Sequence, residues 1–475
     1  MRTHLKHFMT IGIGTLVNIL IGILTTPIIT RLVNTADYGA LAMFNTYTSM
    51  AVMILCLGLD QSLIRFYYDN NSIEYKRRLI TATAWFSVCA SLVLCIFGYA
   101  ILNKELFIFE FKDKFLICLL INICIQVFFR FTQIILRVEY KTKTFALLNS
   151  INKIVYLVMA SVMLKFLYNA DNLFLLILAT IVSVGVPLIV GIVIERKLWC
   201  PLVNYSIESL DVKKVLCYGF PFIFSMGITT VFEALDKLSI NYFCNYSEVG
   251  IYSSAIMIVN VFSILQTTFN TVWAPMAIEQ YTNNSENKEF FRKINNIITI
   301  LMFSFGCTLI VFKDVFIILL GENYRSATYI IPFLIFRPIM YTISETTSVG
   351  IDFAKKSQLH IVVAAIACIV NAIGNFFLVP VLNGRGAAIS TGISYIVFFT
   401  ARTFLGKRYY DYKPELKKQY LLIAATTVFA TYNTFATFDS CCVIMYVACM
   451  CIIVAVYKKT IKEMIIYIFN LIDKR

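Results

Sequence analysis

Charge is what this 475-residue sequence has least of. Lys, Arg, Asp and Glu make up only 14% of it, against roughly 25% in soluble globular domains. That deficit excludes a chain wetted on all sides. Histidine is almost missing, with three residues in all, His4, His7 and His360. There is no His/Glu metal pattern, no Gly-rich P-loop and no Ser-centred elbow, so metalloenzyme, ATP-driven and serine-hydrolase readings fall away. No enzyme activity, metal or other cofactor is expected. The 14 cysteines form no Cys-x-x-Cys and lie mainly inside apolar runs, as small packing residues rather than disulfides or ligands. The alternating apolar/polar code of a membrane barrel is also missing.

What the chain has is apolar length. Hydrophobic residues reach 59% and the mean hydropathy is +0.78. Apolar stretches of about 18–25 residues alternate with short polar loops, the length at which a helix crosses a bilayer. Backbone groups in lipid must be satisfied within the segment, so these stretches are expected to be helices. About 14 spans are predicted. The first half holds 8–30, 40–66, 79–102, 115–136, 145–167 and 173–194. The second holds 215–243, 251–275, 294–318, 327–350, 359–381 and 387–405, and a short pair follows at 420–438 and 441–457. The expected fold class is an all-α integral membrane protein, with two pseudo-symmetric six-helix bundles and a C-terminal helix pair. The bundles are 1–195 and 215–408, a cytoplasmic linker is 196–214, and the terminal pair with its tail is 409–475.

With the N-terminus inside, about 28 Lys/Arg fall on inner segments and about 8 on outer ones, which places both termini in the cytoplasm. The net charge of +14 then belongs to loops facing anionic lipid, and nucleic acid is not an expected partner. The first apolar run is too long for a signal-peptide core and carries no small-residue cleavage site, so no cleaved signal is expected.

The pattern occurs twice. Arg31, then Asp37-Tyr38-Gly39, is echoed by Asp236-Lys237, then Glu248-Val249-Gly250. Asn70-Asn71-Ser72 is echoed by Asn283-Asn284-Ser285, and Arg137 with Lys141 and Lys143 by Asp352 with Lys355-Lys356. Three echoes at nearly one offset, about 211–215 residues, predict an internal repeat. Six spans per half make the repeat parallel, as in transporters with a cavity between two bundles.

Charge inside a span costs at least about 2.5–3.5 kcal/mol and marks function or pairing. In the fourth span Asn122, Gln126, Arg130, Gln133 and Arg137 are spaced four, four, three and four apart, which puts them on one helical face. The tenth span repeats the arrangement with Arg337, Tyr341, Ser344, Glu345, Ser348 and Asp352. Two polar walls of a cavity are expected, against the plainer reading of a hydrogen-bonded helix contact. Lys153 in the fifth span is a further candidate for substrate, or a snorkelling lysine. In the seventh span Glu233 and Lys237 have ion-pair spacing, while Asp236 points elsewhere and is a candidate for coupling to a proton or sodium ion. Arg31, Asp60, Glu233 and Lys237 are candidates for coupling or gating beside it. Prolines 27, 187, 221, 275, 332, 338 and 380 are expected to bend or end spans.

Pro27-Ile28-Ile29-Thr30-Arg31-Leu32 with Asp37-Tyr38-Gly39 resembles the N-terminal signature of the polysaccharide-repeat-unit (O-antigen and capsule) flippases. Asp236-Lys237 with Glu248-Val249-Gly250-Ile251-Tyr252, then Trp273-Ala274-Pro275, resembles their seventh and eighth spans. Asn371, Asn375, Pro380 and Gly384-Arg385-Gly386-Ala387-Ala388 are similar to their eleventh and twelfth. The resemblance implies the superfamily of multidrug, oligosaccharidyl-lipid and polysaccharide exporters. It implies 12 or 14 helices, alternating access, and an undecaprenyl-pyrophosphate-linked oligosaccharide carried to the outer leaflet of a bacterial inner membrane. A polysaccharide polymerase and a chain-length regulator are the implied partners beside membrane lipid. The alternative is an ion-coupled multidrug exporter of the same architecture.

Overall fold

The computed structural model describes residues 17–102 apart from 19 and 23, then 113–167, 170–200 and 212–472. Those residues are mostly helical, without strands among them. Among the described residues eight helices are long and apolar enough to cross a membrane, and twelve if each of four bent pairs is one span. The twelve coincide with the second to twelfth and the fourteenth predicted spans. The first predicted span begins outside the described residues, and its described part includes a short apolar helix, Leu20–Leu32. The thirteenth is a helix, Leu416–Phe435, whose Gln419, Thr426, Thr427, Thr431 and Asn433 make it less apolar than the others.

Contacts divide the chain into two compact units, Met1–Ala234 and Leu235–Arg475. The division falls inside one helix, Val212–Phe243. Much of the expected linker, 201–211, lies outside the described residues.

The internal repeat has a local cause. Asn34 caps the helix of the second span, its Oδ1 accepting from Asp37 N at 2.7 Å, and Asn245 caps the eighth through Glu248 N at 3.0 Å. The duplicated acid thus sits in the first turn of each helix, where the helix dipole favours negative charge. Ser72 and Asn287 cap the helices of the third and ninth spans in the same way. The third echo is a shared stop signal. Tyr140 and Lys355 both adopt the left-handed region, with φ of 57° and 56°. In each, the next residue bonds back five positions, Lys141 N to Leu136 O at 2.9 Å and Lys356 N to Ile351 O at 3.0 Å. Paired with the bonds from Tyr140 N to Arg137 O and from Lys355 N to Asp352 O, this is a Schellman ending in each unit.

The prolines are not what bends most spans. The second span turns by 53° between Thr35–Leu55 and Leu59–Phe66, at Gly58, whose φ is +67°. A Cβ there would lie 2.0 Å from the Gly219 carbonyl oxygen, so two backbones cross where no side chain fits. The eighth span turns by 44° between Phe262 and Ile264, well before Pro275. Pro187, Pro221, Pro275 and Pro380 lie within continuous helices. Only the 54° turn of the tenth span, between Tyr329 and Ile331, has a proline at the start of the next helix, Pro332.

Candidate functional site

In the first unit a cavity of about 370 Å³ opens between the second, fourth and seventh spans. Its polar lining is Asn45, Thr48, Ser49, Gln126, Arg130, Gln133, Thr230 and Glu233. Three of the five residues expected on the face of the fourth span therefore meet there. Asn122 lies one turn below, fully buried, and donates to Thr48 Oγ1 at 3.1 Å. Arg137 lies one turn beyond Gln133, exposed, with its guanidinium 5.6 Å from the Phe145 ring centroid. Only the middle of the face borders the cavity, because one helix side passes successively a packed neighbour, a cavity and the exposed end of the helix.

Arg130 is not a bare cation. Its Nη2 and Nε reach the same Asp60 oxygen at 2.5 and 3.1 Å. The Asp60 side chain is 2% exposed and that of Arg130 36%. The carboxylate is also held by the Gln61 backbone and amide, at 2.9 and 3.2 Å. The buried carboxylate is thus paired and hydrogen-bonded, as a charge away from water must be, while the guanidinium keeps one side open. Gln133 donates to Asn149 of the fifth span at 2.6 Å. Lys153, expected among the substrate ligands, is exposed and outside the cavity lining. Arg31 is exposed at the end of the first span.

The end of this unit beyond Arg137 is pinned by a second cluster. Glu139, just past the fourth span, accepts from Tyr67 and from Lys76 Nζ at 2.9 Å. Lys141 reaches the buried Glu195 at 2.5 Å. Burial by itself would raise the Glu139 carboxyl, but the Tyr67 and Lys76 hydrogen bonds and the Lys76 charge hold it below its ordinary 4.5. A depressed carboxyl contributes stability above its unfolded value, lost as pH falls through the folded one. Glu139→Gln should therefore lower the melting temperature at pH 7, and the gap to wild type should narrow progressively as the pH falls below 4.5. A gap that does not narrow in detergent melts would contradict this.

The second unit holds a denser polar centre. Asp236, 8% exposed, accepts four hydrogen bonds. Tyr252 and Thr391 hydroxyls donate to Oδ2, each at 2.5 Å. Asn371 and Asn375 amides donate to Oδ1, at 3.0 and 2.9 Å. These come from the eighth, eleventh and twelfth spans, so one carboxylate ties four helices. The sequence placed Asn371 and Asn375 four apart and Tyr252 beside Glu248, yet no spacing rule connects residues 135 positions apart to Asp236. Asn375 Oδ1 is buried and has no hydrogen-bond partner, an oxygen left over beside the carboxylate. Lys237 is half-buried on the next position of the helix.

The tenth-span face is altered more than the fourth. The segment is broken into Glu322–Tyr329, Ile331–Leu334, Phe336–Thr347 and Val349–Phe353, so helical spacing cannot carry from Arg337 to Asp352. Asp352 turns to His360 at 2.9 Å and leaves the expected wall. Glu345 pairs with Arg402 of the twelfth span at 2.6 Å, and Arg402 also donates to Ser344 at 3.0 Å. Tyr341 stacks on Phe398 at 5.8 Å, with the Arg402 guanidinium 5.6 Å from each ring. Arg337 lies 5.9 Å from the Tyr395 ring. Arg402 was missed in the sequence, although a charge three residues inside the end of a predicted span is the signal that would have found it.

The fold is that of known transporters. It superposes on the lipid II flippase MurJ in an inward closed conformation, with a TM-score of 0.72, 14% identity, and 97% of this chain and 99% of that one covered. An inward-facing multidrug resistance MATE family transporter of the MOP superfamily matches with a TM-score of 0.60, 15% identity, and 87% and 96% covered. A MATE transporter of Vibrio cholerae matches with a TM-score of 0.57, 10% identity, and 85% and 95% covered. At such identities the likeness is one of fold. No curated protein matches the sequence. A family model described as "Polysaccharide biosynthesis protein" matches residues 4–280, more than half of the chain. This multi-pass membrane protein therefore belongs to the polysaccharide biosynthesis protein family, on the helical fold that flippases and multidrug exporters share.

Proposed function

We propose that the protein flips undecaprenyl-pyrophosphate-linked oligosaccharide repeat units, of O-antigen or capsule type, from the cytoplasmic to the outer leaflet of a bacterial inner membrane by alternating access. The observation that carries this reading is the cavity of the first unit. Its polar lining is mostly amides and hydroxyls with one arginine and one glutamate. Amides and hydroxyls match sugar hydroxyls as donors and acceptors, and a guanidinium gives phosphate a two-point contact. A pyrophosphate with sugars cannot enter hydrocarbon alone, so such a lining offers the headgroup a passage while its lipid tail remains in the bilayer.

The coupling step is assigned to Asp236. A proton or a sodium ion arriving at its carboxylate would compete with the four hydrogen bonds from Tyr252, Asn371, Asn375 and Thr391. That competition links the ion to the packing of four helices. Multidrug export is the rival reading, supported by the shared fold. The single acid in a lining dominated by neutral groups favours a sugar over an organic cation.

The test is a host strain with the gene deleted. Lipid-linked repeat units should accumulate on the cytoplasmic side and surface glycan should vanish, both restored by the wild-type gene. Unchanged surface glycan together with a new sensitivity to cationic drugs would replace this reading by the rival one.

A further inference from the structure

The fourteenth span does not end in a loose tail. Its helix, Ser440–Val456, turns by 78° into another, Lys458–Ile472. The turn is fixed. Tyr457 at the corner is 1% exposed, and the Lys418 ammonium lies 5.2 Å from its ring centroid. Backbone bonds from Tyr457 N to Ile453 O (3.1 Å) and from Ile461 N to Tyr457 O (3.0 Å) run through the corner. The last helix also packs against the Lys288–Val311 helix of the ninth span. A helix that leaves a span at such an angle runs along the membrane surface, since spans tilt only about 20° from the normal on average.

Its composition fits that surface. Lys458, Lys459 and Lys462 are exposed, and so are Ile465 and Ile466, at 48% and 49%. Water would not favour two bare isoleucines, and hydrocarbon would not accept three lysines. These five residues share one face of the helix, so the headgroup boundary satisfies both when that face is turned to the bilayer, with the isoleucines in the acyl chains and the lysine stems bent back up to phosphate. We infer that this helix is an interfacial anchor that binds anionic phospholipid of the cytoplasmic leaflet through Lys458, Lys459 and Lys462. Charge complementarity selects the occupant. The helix exposes one acid, Glu463, against the three lysines, and at the neighbouring start of the ninth-span helix Arg292 is exposed while Lys293 pairs with Glu289 at 3.1 Å, so the patch stays net basic, and the inner leaflet is the anionic one. The anchor is independent of which substrate the protein flips.

The test uses the full chain in nanodiscs. Ile465→Trp adds emission to that of the three native tryptophans, and brominated acyl chains should quench the added part. In native mass spectrometry, Lys458→Gln/Lys459→Gln/Lys462→Gln should retain less phosphatidylglycerol relative to phosphatidylcholine than wild type, by up to about fivefold per lysine. Added emission that brominated lipid leaves untouched overturns the placement and points to a protein occupant or to water. An undiminished phosphatidylglycerol preference overturns the headgroup contact.

Discussion

Replacing Arg130 with alanine should abolish surface glycan, and for two separable reasons. The first is stability. Asp60 is buried, and Arg130 supplies two of its hydrogen bonds. Removing one partner of a buried pair costs about 3–5 kcal/mol when both are fully desolvated. The side chain of Arg130 is about one-third exposed, so the lower end of that range applies. The second reason is the cavity itself, where Arg130 is the only cation in the lining. Asp60→Asn combined with Arg130→Gln removes both charges, keeps hydrogen-bonding groups and should recover most of the lost melting temperature. Transport should stay lost in that double variant. Normal glycan display by a stable double variant would remove the guanidinium from the substrate's path and reduce the pair to a structural tie. Arg130→Lys is the intermediate case, since an ammonium keeps the charge but not the two-point grip on Asp60.

The second large effect is expected at Asp236. Asparagine has nearly the same shape, but only one of its two terminal atoms accepts hydrogen bonds. Its NH2 would stand where the Tyr252 and Thr391 hydroxyls now donate, and those hydroxyls can turn to accept from it, so the main loss is the charge-assisted strength of the four bonds, about 1 kcal/mol for each. Asp236→Asn should therefore insert with a lowered melting temperature and lose the response of transport to an imposed proton or sodium gradient. Thr391→Val removes one donor only, and should weaken that response without ending it. Proteoliposomes with set inner and outer pH and sodium decide the matter. Gradient-driven transport that persists in Asp236→Asn would take the coupling role away from this residue.

The two sites were legible to different depths. Gln126, Arg130 and Gln133 could be read because one helix places them, and a 3.6-residue period is a property of local sequence. Asp60 could be read as costly, and its partner could not, because residues 60 and 130 meet only when two spans pack. The same holds for Glu345, whose partner Arg402 comes from another helix. The expected face of the tenth span holds from Arg337 to Glu345 within one helix and is interrupted at Ser348, before Asp352.

Apolar length and the missing barrel alternation determined that this chain is a helical membrane protein, because a backbone in lipid satisfies its hydrogen bonds only within helices or closed barrels. The duplicated motifs also followed from sequence, since helix caps and Schellman endings are set by a few adjacent residues, such as Asn34 with Asp37 and Tyr140 with Lys141. Tertiary structure decided which charges are paired, where the spans bend and which four helices share Asp236. Those depend on distances between residues far apart in the chain. The bend at Gly58 exists because Gly219 passes within contact of it, and neither residue announces the other.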